Sequence, residues 1–141
     1  MNEFTYAEIE IGYSASFTRH ITECMEHSFR EITGDENPLH RDDDFARSVS
    51  QSYKRHVSFG LLTASLYSTL AGMYLPGKYS LIHSFENIKF LRPVYAGEEL
   101  TVNGTVQEKN DALNLIVVKA SIRNQDREIV SSAKIKIIVL A

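Results

Sequence analysis

Cysteine is nearly absent. Cys24 is the only one in 141 residues, so no intrachain disulfide can form. That fits a reducing, cytoplasmic setting. A concentrated positive footprint is missing too: 15 basic residues stand against 18 acidic ones, for a formal net charge of −3. A nucleic-acid binder needs such a footprint. Only short clusters occur here, Lys54-Arg55-His56 and Lys89 with Arg92, and they suit one phosphate-bearing small molecule better than a polyanion. The start, Met1 to Tyr6, has neither a basic leader nor an apolar signal core. The most apolar stretch, Phe59 to Leu75, is interrupted by Thr63, Ser65, Ser68 and Thr69 and closed by Pro76-Gly77. It is too short and too polar for a membrane span and reads as a buried helix. Linkers, repeats and low-complexity tracts are absent as well. With 43% hydrophobic and 23% charged residues, the chain reads as one ordinary globular domain over 1–141.

What is present has a clear order. Tyr13 to His20 alternates and is the first strand candidate. A helix follows, with Thr22 as N-cap, Glu23 and Glu26 near its positive end, and Gly34 as its stop. Ile21, Met25, Phe29 and Ile32 form its apolar face. Pro38 pushes Asn37 out of the helical region, so Asp35 to His40 is extended or turned. A short helix is expected from Asp42-Asp43-Asp44 through Ala46, then a polar loop over Ser48 to His56. The long helix spans Gly60 to Tyr74, with Leu62, Leu66, Leu70 and Met73 in one row. After Gly77 the period changes to two. Strands are expected over Ser80–Leu91, Glu99–Glu108, Leu113–Arg123 and Glu128–Leu140. This is an α+β pattern, one antiparallel sheet wrapped around a central helix.

Asp35 and His40 are the residues able to carry chemistry. They lie five apart across a proline-kinked segment. An imidazole titrates near neutrality, and a carboxylate beside it can hold a water and share its proton. Adding water across a C=C bond conjugated to a thioester needs such a pair, plus donors for the developing enolate oxygen. Backbone N–H groups at the head of a buried helix supply those, and Gly60 lets a ligand approach closely. Spacing alone leaves a plainer alternative open, in which Asp35 caps the following turn and His40 is a satisfied surface residue.

The run Phe29-Arg30-Glu31-Ile32-Thr33-Gly34-Asp35-Glu36-Asn37-Pro38-Leu39-His40, followed by Phe45-Ala46, resembles the signature of the MaoC-like hydratases. These are the (R)-specific enoyl-CoA hydratases and (R)-3-hydroxyacyl dehydratases. Supporting blocks follow in the family's order: Phe59 to Leu66, Leu75-Pro76-Gly77, and Lys89 to Glu98. The resemblance spans nearly the whole chain. It implies a hot-dog fold, a homodimer with joined sheets, an acyl-CoA or acyl-carrier-protein thioester as substrate, and no cofactor or metal. Carried over by position, it makes Asp35 and His40 the water-handling pair and gives Asn37 their turn to shape. Gly60 becomes the backbone oxyanion donor, and Ser58, Phe59, Leu61 and Ser65 line the pocket. In one departure, Phe59 stands where many members carry His before the helix glycine; that bears on the preferred acyl group.

The other polar residues are weaker candidates. Counting from Asp35, the sixth position is His40 and not glycine, so a calcium loop fails and helix capping by Asp42 to Asp44 is expected. His20, His27, His56 and His83 share no ligand spacing and read as surface or packing residues, with His56 and His83 nearest a pocket edge. Lys54, Arg55, Lys89 and Arg92 are candidate phosphate contacts. Cys24 is expected to pack as a small hydrophobe, and Tyr67 and Tyr74 as core or pocket wall. Two rival functions remain: a hot-dog thioesterase and a non-catalytic acyl-binding dimer domain. The stretch Phe59 to Leu75 has no Asp or Glu, which counts against the acidic helix residue many such thioesterases use. Retention of both Asp35 and His40 counts against the second.

Overall fold

The sheet supplies the largest single share of the buried residues. A computed structural model describes residues 1–141. Its strands are β1 (Ser14–His20), β2 (Ser80–Phe90), β3 (Glu99–Asn110), β4 (Leu115–Arg123) and β5 (Ile129–Val139), all antiparallel, in the order β1-β3-β4-β5-β2. The helices are α1 (Glu23–Thr33), α2 (Asp43–Val49) and α3 (Gly60–Thr69), the last running into a π-type turn over Leu70–Tyr74. This is the hot-dog arrangement. No helix is long and apolar enough to cross a membrane.

Alternation in the sequence translates directly into faces. Leu100, Val102 and Val106 on β3 are buried, as are Ile116, Val118, Ala120 and Ile122 on β4 and Ala133, Ile135 and Ile137 on β5. Each of the Leu, Ile and Val side chains among them contributes roughly 1.5–3 kcal/mol when fully buried. α3 lies against this face. Leu62, Thr63, Ala64, Leu66 and Tyr67 are all buried, so the helix is enclosed around much of its circumference and carries no charge. Gly104 explains how closely helix and sheet approach. A Cβ there would lie 2.6 Å from Leu70 Cδ2 and 3.0 Å from Val118 Cγ1. The Tyr67 hydroxyl donates to Ser131 Oγ at 3.0 Å, both residues being buried. Burial pushes the Tyr67 pKa up to about 12, against the smaller opposing effect of that hydrogen bond. Tyr67 is therefore a core residue, as expected, and Tyr74 stacks flat on Phe17 at 5.0 Å.

Capping follows the sequence signals. Thr22 Oγ1 accepts the Met25 N–H at 3.2 Å, and Asp42 Oδ1 accepts the Phe45 N–H at 2.9 Å. Each such cap is worth about 1 kcal/mol. Gly34 ends α1 at φ 70°, its N–H reaching Arg30 O at 2.8 Å.

Three expectations need correction. Ile21 is fully buried and Met25 and Phe29 are half-buried, but Ile32 is 81% exposed. Helical spacing selects a face and says nothing of how far along the helix that face stays covered. Met73 leaves the Leu62–Leu66–Leu70 row and is 42% exposed. The wider π-type turn changes the angular step at Leu70 and rotates Met73 outward. Helix α2 runs to Val49, so the expected polar loop over Ser48 to His56 begins two residues late. Two register shifts in β2, at Ile82/Ser84 and Glu86/Lys89, break its strict alternation. They bring Ile82, Phe85 and Ile88 to one groove beside α3.

Candidate active site

A cleft of about 360 Å³ opens where the head of α3 meets the end of β2 and the segment preceding α3. His40, Tyr53, Ser58, Gly60, Phe90 and Arg92 are among its lining residues. The local sequence explains the placement of His40. Asn37 Oδ1 accepts the Leu39 N–H at 3.0 Å, Asn37 O accepts the His40 N–H at 3.0 Å, and Pro38 opens a single 3₁₀ turn ending at His40. The expected turn-shaping by Asn37 is thus an Asx-type cap.

His40 Nδ1 lies 2.7 Å from the Val57 carbonyl oxygen. A carbonyl only accepts, so Nδ1 carries the proton. In the neutral ring Nε2 is then the free acceptor, the form a general base requires. Phe59 is 3% exposed and packs on the imidazole at 4.2 Å between ring centroids, with Phe29 behind it at 5.1 Å. Phe59 therefore backs His40 rather than walling the cleft.

Gly60 opens α3, so its N–H is a first-turn donor without an intrahelical acceptor. A Cβ at Gly60 would lie 3.1 Å from Phe90 Cδ1; the missing side chain keeps the head of the helix open to the cleft. The Ser58 N–H is held by Val94 O at 2.8 Å, while its hydroxyl is buried with no partner. His40, Ser58 and Gly60 thus converge.

The remaining candidates lie elsewhere in the isolated chain. Asp35 is exposed and does not line the cleft. Its Oδ1 accepts the Asn37 N–H at 3.0 Å. No hydrogen bond joins it to His40. Leu61 and Ser65 face a separate apolar groove of about 420 Å³, shared with Ala64, Ile82, Phe85 and Ile88. Ser65 also borders a third groove with Met25, Phe29, Ile32 and Leu62. Its hydroxyl donates to Leu62 O at 2.6 Å. Cys24 is exposed beside that third groove and is not packed as expected.

Among the cations, Arg55 donates to Ala96 O and lies over the Tyr95 ring, a structural use. Arg92 pairs with Glu128 at 3.3 Å at the cleft, and Lys54 and Lys89 are exposed. His83 is exposed and away from the cleft. His56 is neither surface nor pocket edge; it is clamped between Glu26 and Asp43. Tyr53 and Phe90 are cleft residues that sequence reasoning missed. Tyr53 carries no pattern, and Phe90 stood only as a member of the Lys89 to Glu98 block; the folding of the chain brings both to the cleft that His40 lines.

Residues 6–127 match the MaoC like domain family. The chain is 36% identical over 93 residues to an (R)-specific enoyl-CoA hydratase of Aeromonas caviae, covering 66% of this chain and 67% of the relative. It is 32% identical over 108 residues to an (R)-specific enoyl-CoA hydratase of Rhodospirillum rubrum, covering 74% and 73%. In structure it resembles R-hydratase PhaJ1 of Pseudomonas aeruginosa, with a TM-score of 0.87 at 29% identity, covering 97% of this chain and 86% of that one.

Proposed function

The chain belongs to the MaoC-like domain family, and from that premise we propose that it is a hydro-lyase adding water reversibly to trans-2-enoyl thioesters to give (R)-3-hydroxyacyl thioesters. The observation that carries this reading is His40 in the cleft with its proton fixed on Nδ1 and its Nε2 free, next to the head of α3. In the hydration direction His40 and Asp35 hold a water. As its oxygen bonds to C3, one water O–H breaks and that proton passes to the Asp35/His40 pair; the C=C π pair moves to C2 through the enolate, and C2 takes up a proton from the same pair, so that one water is added in all. Charge passing through the thioester oxygen is stabilised by the Gly60 N–H and the positive end of α3. Dehydration retraces these steps. Ser58 offers the cleft an unpartnered hydroxyl.

Asp35 reaches this role in a dimer. The edge strand β2 and the exposed Ile32, Leu61, Phe85, Phe90 and Leu91 form the face a second copy covers. The sheets join there, and the exposed Asp35 turn comes under cover. The acyl chain follows the apolar grooves on either side of Ser65. Lys54, Lys89 and Arg92 meet phosphates of CoA or of a carrier-protein arm, in a cytoplasmic setting.

Incubation with crotonyl-CoA and longer trans-2-enoyl-CoAs, following absorbance of the conjugated thioester, tests this. The absorbance falls with the parent. Asp35→Asn and His40→Ala lower kcat by about 10²–10⁴-fold. Release of free thiol instead identifies a thioesterase. No reaction with any acyl-CoA or acyl-carrier-protein substrate refutes the enzyme reading.

A further inference from the structure

One group of titratable side chains has no part in the chemistry above: Glu26 on α1, Asp43 on α2 and His56 in the segment leading to α3. His56 Nδ1 lies 2.6 Å from Asp43 Oδ1, and its Nε2 lies 3.2 Å from Glu26 Oε2. Ionised carboxylates only accept, so both contacts are hydrogen bonds only when both ring nitrogens carry protons. Glu26 is 6% exposed and its Oε1 is buried without a partner. A carboxylate buried in that way is costly unless a cation meets it. His56 is the only cation paired with it.

The clamp continues into the cleft through three consecutive N–H groups. His56 N–H donates to Asp43 Oδ1 at 2.9 Å, Val57 N–H to Leu39 O at 3.0 Å, and Ser58 N–H to Val94 O at 2.8 Å. Between them sits the Val57 carbonyl, the acceptor for His40 Nδ1. We propose that His56, held as an imidazolium between Glu26 and Asp43, is a positioning residue for His40. It pins the Val57 carbonyl, which keeps the His40 proton on Nδ1 and leaves Nε2 facing the cleft. Its catalytic consequence rests on the reading of His40 as the acid–base group.

The groups facing His56 are Glu26 from α1 and Asp43 from α2, with Arg47 one turn further along α2 acting on Asp43. Burial opposes charge on His56, but the hydrogen bonds and charges of Asp43 and Glu26 outweigh it and raise its pKa above the ordinary histidine value. The clamp therefore persists to higher pH than an ordinary histidine would stay charged. Once His56 loses its proton, the neutral ring has one N–H for two carboxylates, and at least one contact breaks.

The test is NMR of protein labelled with ¹⁵N-histidine, reading ring nitrogens from pH 6 to 10 in the parent, Glu26→Gln and His56→Gln. In the parent, the His40 ring signals respond to the pH step at which His56 deprotonates. In Glu26→Gln that shared step moves down by about one pH unit, as expected for losing an adjacent opposite charge. In His56→Gln the His40 preference for the Nδ1–H form weakens and the step vanishes. Kinetics run alongside: kcat for enoyl thioester hydration shows an alkaline limb that shifts with the NMR step, while KM moves less than twofold. A His40 ring indifferent to the His56 step, in folded parent and Glu26→Gln, overturns the proposal, as does an alkaline limb unmoved by Glu26→Gln. If the parent hydrates no enoyl thioester, the functional reading fails, and the coupling of the two rings is still decided by NMR.

Discussion

Gly60→Ala separates stability from activity at the head of α3. The added methyl would lie 3.1, 3.2 and 3.4 Å from Phe90 Cδ1, Cε1 and Cγ. Carbon pairs prefer about 3.5–4.0 Å, so the Phe90 ring must retreat by a few tenths of an ångström. In the single chain it can, because Phe90 ends β2 and is 50% exposed there. Overpacking costs about 1–3 kcal/mol where neighbours are fixed, and less here. Replacing glycine in a helix interior returns roughly 0.5–1 kcal/mol, and less at the first helical position that Gly60 holds. The net change is within about 1 kcal/mol, a Tm shift of no more than about 4 °C by differential scanning calorimetry. Activity behaves differently. The methyl and the displaced ring both enter the cleft beside the Gly60 N–H. Loss of one oxyanion donor costs about 10²–10³ in kcat, and partial obstruction gives at least a tenfold loss in enoyl-CoA hydration. A folded variant with kcat within twofold of the parent would refute the placement of the thioester oxygen at this helix terminus. A variant that unfolds would refute the claim that Phe90 can yield.

Two further outcomes follow from the same geometry. Gly104→Ala brings a methyl to 2.6 Å from Leu70 Cδ2 and 3.0 Å from Val118 Cγ1, and both neighbours are fully buried. Neither can move aside, so urea unfolding should show a loss of about 1–3 kcal/mol, and an unchanged midpoint would contradict the packing. The pKa of His56 is raised in the folded state, so its stabilisation is fully present below the unfolded value of about 6.5 and is lost as pH rises through the folded value. The Tm gap between the parent and His56→Leu should therefore be widest near pH 6 and narrow toward pH 10. A gap that widens with pH reverses the sign and refutes the charged clamp.

Much of the fold was legible because its signals are local. Thr22, Gly34 and Asp42 act on backbone groups within four residues, so capping chemistry alone locates both ends of α1 and the start of α2. The change of period after Gly77 marks the strands to within two residues at most ends. The misplaced residues, Ile32 and Met73, depend on how far the sheet reaches and on a local change of helical pitch. Neither quantity is written in the spacing of apolar residues.

The site divides in the same way. The proline-kinked turn and the glycine at the head of α3 were readable from the sequence, because each is a short-range demand on backbone conformation; the family resemblance pointed to Asn37 as the residue that shapes the turn. Pairings across the fold were not. Val57 meets His40 from 17 residues away, and Glu26 meets His56 from 30. Such contacts exist only once the sheet has folded α1, α2 and the segment before α3 together. By itself the sequence determined which residue types could handle a proton. Tertiary structure decided that His40 carries that proton on Nδ1 and that Asp35 lies exposed in the single chain. It also made His56, a histidine without a motif, the clamp behind the site.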